Sequence, residues 1–291
     1  MKKIILFLSI ICTFNITFAV FEYMPGNVQP RTMCLATTSL IMGIDNIVAN
    51  PASISGVRHI DGYLSYENLY MFTHAASAGF GYKFSSNAVG LKYSEFFVIG
   101  DNANEDSILA ENTRLHTERT VQLTYGGNLQ DMISVGTNVN FLYLSQKNEV
   151  QEDFNNMYYT VDFGLIGRIY KRWSLGISVF NLTNTYINGY MDTYRYYIER
   201  KVSAGLSFEP YKNLITSFDV SKVSEEPTSF GFGIVYELMK NTFEMTTGVR
   251  SYPVSYGGGF KAKFNKFEVD YGYTGIMQLP SRHHIQISYY F

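Results

Sequence analysis

Phe267-Glu268-Val269-Asp270-Tyr271-Gly272-Tyr273-Thr274 alternates strictly: Phe267, Val269, Tyr271 and Tyr273 on one side, Glu268, Asp270, Gly272 and Thr274 on the other. Successive side chains of a β-strand point to opposite faces, so this stretch is a strand with one greasy and one polar face. The pattern recurs in both directions. Ile133, Val135, Val139, Phe141 and Tyr143 alternate with Ser134, Gly136, Asn138 and Asn140, and Trp173, Leu175, Ile177 and Val179 alternate with Ser174, Gly176 and Ser178. Read this way, the chain predicts fourteen strands, near 60–68, 74–84, 87–98, 116–128, 132–145, 155–168, 173–182, 195–208, 213–221, 228–237, 242–250, 254–264, 267–275 and 282–291.

Alternation does not say which face is buried, because a soluble β-sandwich has the same period with its apolar face inward. Composition and connections bear on the choice. Of the 291 residues 16% are charged and 16% aromatic, whereas a soluble domain carries about 25% charge. The odd-numbered connections contain the long segments 99–115, 146–154 and 183–194, and the even-numbered ones are tight and polar, as at Ser85-Ser86, 129–131, 170–172, 210–212, 239–241 and Asn265-Lys266. Long and short are expected to alternate strictly. Transmembrane β-barrels show that asymmetry, with short periplasmic turns and longer outer loops. An even strand count then puts both ends of the barrel on the periplasmic side, and labels at Asn104 or Thr185 are expected to be reached from outside while Lys212 and Lys266 are not. The expected fold is therefore an all-β, fourteen-stranded antiparallel transmembrane barrel. Closure satisfies every backbone N–H and C=O within lipid.

Both ends of the sequence agree with export. Lys2 and Lys3 precede the apolar run Ile4–Ile11 and a small-residue site at Thr17-Phe18-Ala19, the three regions of a secretory signal, with cleavage expected after Ala19. The run is too short to span a bilayer, for which about 20 residues are needed. Removal of 1–19 leaves Cys34 alone, without a disulfide partner. At the other end Ile285, Ile287, Tyr289 and Phe291 alternate to a terminal aromatic residue. This resembles the C-terminal recognition strand of bacterial outer-membrane proteins, and Ile287, Tyr289 and Phe291 are the implied signal to the barrel-assembly machinery.

With the apolar face toward outer-membrane lipid, the polar face lines the lumen. Lys92, Gln122, Asp162, Lys201, Ser203, Asp219, Glu244, Lys261, Lys263, Glu268 and Asp270 fall there, a mixed-charge lining suited to water or to ion pairs across the lumen. Residues 20–58 do not read as strands. They hold Pro25, Gly26, Pro30, Gly43, Pro51 and Gly56 around the apolar patch 35–42, and are expected to fold back as a plug, with the barrel proper at 59–291.

Within that segment, Gly43-Ile44-Asp45-Asn46-Ile47-Val48-Ala49-Asn50-Pro51-Ala52-Ser53-Ile54-Ser55 resembles the N-terminal hatch of the FadL-like superfamily of outer-membrane proteins and its PorV/PorQ branch, in which an acidic residue precedes an Asn-Pro-Ala leading into the first strand. Met33-Cys34-Leu35-Ala36 stands where family members often carry a Met-Gly-Gly turn, and the spacing from Asp45 is shorter. The resemblance implies that Asp45, Asn50, Pro51 and Ala52 are hatch or ligand-binding residues and that a small hydrophobic molecule binds or passes. It equally implies an alternative role as an accessory of type IX secretion or of surface-protein attachment, with a secreted protein as partner. A polar-solute porin is a third reading, permitted by the charged lumen and opposed by the hatch.

Other chemistry is not signalled. His283 and His284 are adjacent on a strand and point to opposite faces, and His59, His74 and His116 are scattered, so no metal site is expected. The run 101–106 lacks the Gly and terminal Glu of a calcium loop. Gly79, Gly81, Gly231 and Gly233 sit inside strands, where Gly relieves crowding against a plug or a neighbour, and not at a phosphate-binding turn. No catalytic set and no cofactor motif is visible. A net charge of −2 without a basic run excludes nucleic acid as a partner.

Overall fold

The computed structural model describes residues 21, 25–70, 73–100, 113–130, 132–146, 154–188, 195–277 and 279–291. The leader expected over 1–19, and Asn104 with its loop, lie outside them. Among the described residues sixteen strands follow in chain order: β1 Ile60–Tyr70, β2 Thr73–Phe84, β3 Asn87–Gly100, β4 Thr113–Leu129, β5 Ile133–Gln146, β6 Phe154–Tyr170, β7 Trp173–Phe180, β8 Tyr186–Asn188, β9 Arg195–Tyr197, β10 Lys201–Tyr211, β11 Leu214–Val223, β12 Ser229–Met239, β13 Phe243–Ser251, β14 Val254–Phe264, β15 Phe267–Ile276 and β16 Leu279–Tyr290. Fourteen of them form one closed antiparallel barrel, β8 and β9 standing apart as a two-stranded sheet. Closure is made by β16 on β1, with Gly62 opposite Tyr289 and Leu64 opposite Ile287.

The pleat sorts the side chains as period two demands, with the polarity of a soluble protein reversed. Leu64, Leu123, Ile177, Phe260 and Ile287 are exposed on the outer wall, while Lys92, Asp162, Gln286, Glu268 and Asp270 are buried. An apolar exterior of this extent is what a lipid-facing wall requires. Aromatic pairs stack on the same face across strands, Trp173 on Phe208 at 4.2 Å between centroids and Phe267 against Tyr289 at 4.9 Å, the cross-strand contacts that fix register.

Two expectations are corrected. The strand expected at 195–208 is broken: its first three residues pair with Tyr186–Asn188 as β9, and the barrel strand begins at Lys201. The break is local chemistry. Asn181, at φ 53°, turns the chain out of β7, and its side-chain Nδ2 donates to the Ile198 carbonyl at 2.5 Å, holding the returning chain short of the sheet. The strict alternation of long and short connections also fails. Three connections at the long-loop end, 71–72, 252–253 and 277–278, are as short as the turns opposite, because β1, β2, β13, β15 and β16 each run further than the alternation alone marks. One exception to inward polarity stands out. Leu142 and Leu144 face inward and pack with Phe21, Ile187 and Ile198, an apolar cluster near the long-loop end that lies beside buried Glu118, which accepts the Phe21 N–H at 3.1 Å.

Residues 25–57 lie inside the barrel. They hold helix α1, Val28–Thr32, and two 3-10 turns, Gly43–Asn46 and Pro51–Gly56. The segment bonds to strands on opposite sides of the wall: Val28 N–H to Gln286 on β16, Thr38 N–H to Asp219 on β11, and the Ile47 carbonyl to Asn138 on β5. Only a position within the lumen reaches all three. Its apolar core, Ile44, Ile47, Ile54 and Val57, closes on Tyr63 and Ala88.

Candidate functional site: the occupied lumen

The lumen is held by short polar ties between the inserted segment and the wall. Asn50 is the densest of them. Pro51 biases the preceding residue to extended geometry, and Asn50, at φ −155° and ψ 116°, caps the second 3-10 turn by accepting from Ala52 N–H at 3.0 Å. Its Nδ2 donates to the Thr38 carbonyl at 2.7 Å and lies 3.2 and 3.3 Å from the carbonyls of Leu165 and Ile177 on β6 and β7. One fully buried amide thus joins two parts of the insert to two wall strands. Pro51 and Ala52 rest on the wall where it has no side chain: a Cβ added at Gly136 would strike the Pro51 carbonyl and Ala52 N, and one at Gly164 the Asn50 amide oxygen.

Asp45 anchors the opposite side. Its Oδ1 accepts from Asn27 at 2.5 Å and Gln286 at 3.1 Å, its Oδ2 from Tyr290 at 3.3 Å, and Lys261 Nζ lies 4.0 Å away. Burial pushes the Asp45 carboxyl above the usual carboxylate range, against the pull of Lys261. Lys261 also reaches Glu268 at 3.1 Å and Asp270 at 3.7 Å, and Arg58 meets Glu268 at 3.3 Å. This is a buried network of both signs, in which loss of one partner leaves another charge uncompensated.

The remaining lumen residues divide between three places. Lys92 donates to the Pro25 carbonyl, and Asp219 accepts Thr38 N–H at 2.8 Å, so both serve the insert. Glu244 pairs with Lys263 at 2.5 Å, half-buried and apart from it. Asp162 accepts from Asn140 at 2.7 Å, Asn138 at 3.2 Å and Asn181 N–H at 3.0 Å. It also lines, with Lys201, a cavity of about 140 Å³ between the insert and the wall; Phe21, Leu35, Val48, Phe180, Ile198 and Val223 supply the apolar part of the lining. The sequence-predicted residues therefore form an anchoring set and a cavity set, with the Glu244–Lys263 pair in neither. Ile287, Tyr289 and Phe291 face outward, away from both. His283 lies outward against Tyr271 at 2.8 Å and His284 inward, 3.7 Å from Glu67.

Several residues of the site escape a reading of charge alone. Gly136, Gly164 and Gly176 seat the insert, and their signal was phase: all three fall on the inward register of their strands. Gln286 and Tyr290 bind Asp45 although they lie within the C-terminal stretch read for assembly. Phe21 and Ile198, which bound the cavity, have no sequence signal at all.

No protein-family model matches the chain, and no curated protein matches it. Solved structures do share its fold. The toluene transporter TbuX of Ralstonia pickettii superimposes with a TM-score of 0.65 at 11% identity over 94% of this chain and 100% of that one. The toluene transporter TodX of Pseudomonas putida gives 0.64 at 9% over 92% and 97%, and a FadL homologue of Pseudomonas aeruginosa 0.61 at 11% over 92% and 99%. The class that the fold defines is the FadL-type, fourteen-stranded membrane barrel. Its neighbours are channels and transporters.

Proposed function

We propose that the chain is an outer-membrane channel for small hydrophobic molecules, with the cavity beside Phe180 and Ile198 as its binding site. The observation that carries this reading is the cavity itself, about 140 Å³ in volume and bounded by the insert, in which Phe21, Leu35, Val48, Phe180, Ile198 and Val223 form an apolar side and Arg31, Asp162, Glu199 and Lys201 a charged one. By size, a cavity of about 150 Å³ holds one benzene-sized molecule, so the expected ligand is a single ring or a short branched hydrocarbon seated against the apolar side. A bilayer-spanning wall with an apolar exterior, and the fold shared with toluene transporters, support the same reading. Asp45, Asn50, Pro51 and Ala52 act in it as the residues that hold the insert, and residues 20–58 as its hatch.

A PorV/PorQ-like accessory role has weaker support. The mixed lumen charges that favour it are largely engaged with the insert or with each other. The same insert opposes an open polar-solute porin.

The cavity reading has a direct test. Purified wild-type protein in detergent should take up toluene in ligand-observed NMR, and Ile198→Trp, which fills the cavity from its edge, should abolish the saturation transfer while leaving the folded, heat-modifiable band intact. Undiminished transfer in that variant would place binding elsewhere.

A further inference from the structure

A charged shelf on the outer wall has no role in the lumen. On β3 the outward side chains run Tyr93, Glu95, Phe97, and on β4 Arg119 stands directly opposite Glu95, with Tyr143 of β5 opposite Arg119. Glu95 Oε1 accepts from Arg119 Nε at 2.9 Å and from Arg114 Nη1 at 2.7 Å. Two guanidiniums thus share one carboxylate, for a net charge of +1. Each arginine side chain is more than 40% exposed while the carboxylate is 13% exposed, so the surface presented is cationic. Aromatic faces hold it in place: Arg114 lies 4.3 Å from the Phe97 ring centre, Phe97 stacks on His74 at 5.4 Å, and Arg119 lies 5.7 Å from the Tyr143 ring.

Position gives the shelf its meaning. Val121, Leu123 and Tyr125 continue the same face of β4 toward the short-turn end. Arg119 is one pleat period beyond Val121, roughly 7 Å along the strand, at the upper edge of the apolar band. Charge facing hydrocarbon is unfavourable, and the penalty falls toward the headgroups. Paired planar guanidiniums at that depth match a phosphate, which accepts from both in fixed geometry.

We propose that Arg114 and Arg119 form a site for the phosphate of an anionic lipid of the outer leaflet. The inference rests on the outer-membrane placement in the proposed function and on the orientation expected from the loop lengths, with the long loops outside. Glu95 pre-arranges the two arginines and also competes with the phosphate for them. That dual role separates a lipid site from a merely structural ion triad.

The test uses the full folded protein in micelles doped with lipid A, with bound lipid counted by native mass spectrometry. Wild type should retain the phosphorylated lipid, Arg114→Gln/Arg119→Gln should weaken retention tenfold or more, and Glu95→Gln should strengthen it severalfold. Dephosphorylated lipid A should be retained no better by wild type than by the double variant, and inorganic phosphate should not displace the lipid. Equal retention by the double variant, weakening by Glu95→Gln, or displacement by inorganic phosphate would each overturn the proposal. If the double variant does not fold, Arg114→Gln alone should still lose retention, and no loss in it counts against the site. Orientation is read separately from a thiol at Ser224→Cys in the 224–228 loop. Labelling of intact cells supports the outer-leaflet assignment, and labelling only after permeabilisation overturns it even where micelle binding holds.

Discussion

Asn50 concentrates four polar contacts in one buried amide, and its chemistry ranks its substitutions. In Asn50→Ala the carbonyl of Thr38 and the N–H of Ala52 lose their partner inside the barrel, at roughly 1–3 kcal/mol for each buried group left unpaired. In Asn50→Asp the cap acceptor is kept, but the donor that faces three carbonyls becomes an oxygen, so repulsion is added to loss. Asn50→Asp should therefore lower the midpoint of heat-modifiability further than Asn50→Ala, measured on the same detergent-refolded protein; the reverse order would mean that the cap to Ala52 outweighs the ties to Thr38 and the wall. Gly164→Ala should fall between wild type and these two, since its Cβ meets the Asn50 amide oxygen and one of them must shift. The local geometry at Asn50-Pro51 was legible in the sequence, because Pro biases the residue before it to extended backbone and an Asn amide can tie down the backbone around it. The glycines that receive them carried a weaker sign, since a strand Gly reads as crowding relief without saying against what.

At the scale of elements, closure depends on the last strand meeting the first. Ile60 N–H donates to the Phe291 carbonyl at 3.3 Å and Phe291 N–H to the Ile60 carbonyl at 2.8 Å, while Lys266 Nζ sits 3.9 Å from the Phe291 ring centre. Deleting Phe291 removes the final reciprocal pair and the aromatic terminus together, so insertion in cells should slow, with unfolded protein accumulating in the periplasm. Unchanged amounts of heat-modifiable protein in the outer membrane would refute this. All fourteen barrel strands were legible as elements, because lipid on one side and polar ties on the other enforce period two over most of their length. The failures fall where that enforcement stops. Residues 195–197 alternate well enough to read as barrel, yet Asn181 holds the chain away; Leu142 and Leu144 break inward polarity because they face an apolar cluster formed by residues distant in sequence, Phe21, Ile187 and Ile198.

For the whole molecule, the balance between wall and insert decides what can pass. The wall alone would enclose a wide lumen, and its inward side chains are mostly small or directed to the insert: Gly136, Gly164 and Gly176 meet the backbone of Pro51, Ala52 and Thr38 and the Asn50 amide directly. At these seats the insert lies too close to the wall for water to pass, so the native protein should show little or no steady conductance in planar bilayers. Deleting residues 20–56 from a barrel that still folds should open a large, steady conductance, because the polar wall then faces only water. Replacing Asn50 and Pro51 together should give an intermediate, flickering state, since the insert would remain on its Asp45 anchor while losing its tie to β6 and β7. The two anchors make that expectation specific: flicker should disappear into full opening when Asp45→Ala is added, because Gln286, Tyr290 and Lys261 then lose the carboxylate that holds the opposite side. An intact protein that conducts like an open pore would show that the insert does not seal the lumen. A deletion that stays closed would shift the seal to the apolar cluster at the long-loop end, and the route for a hydrophobic molecule would have to begin from that cluster.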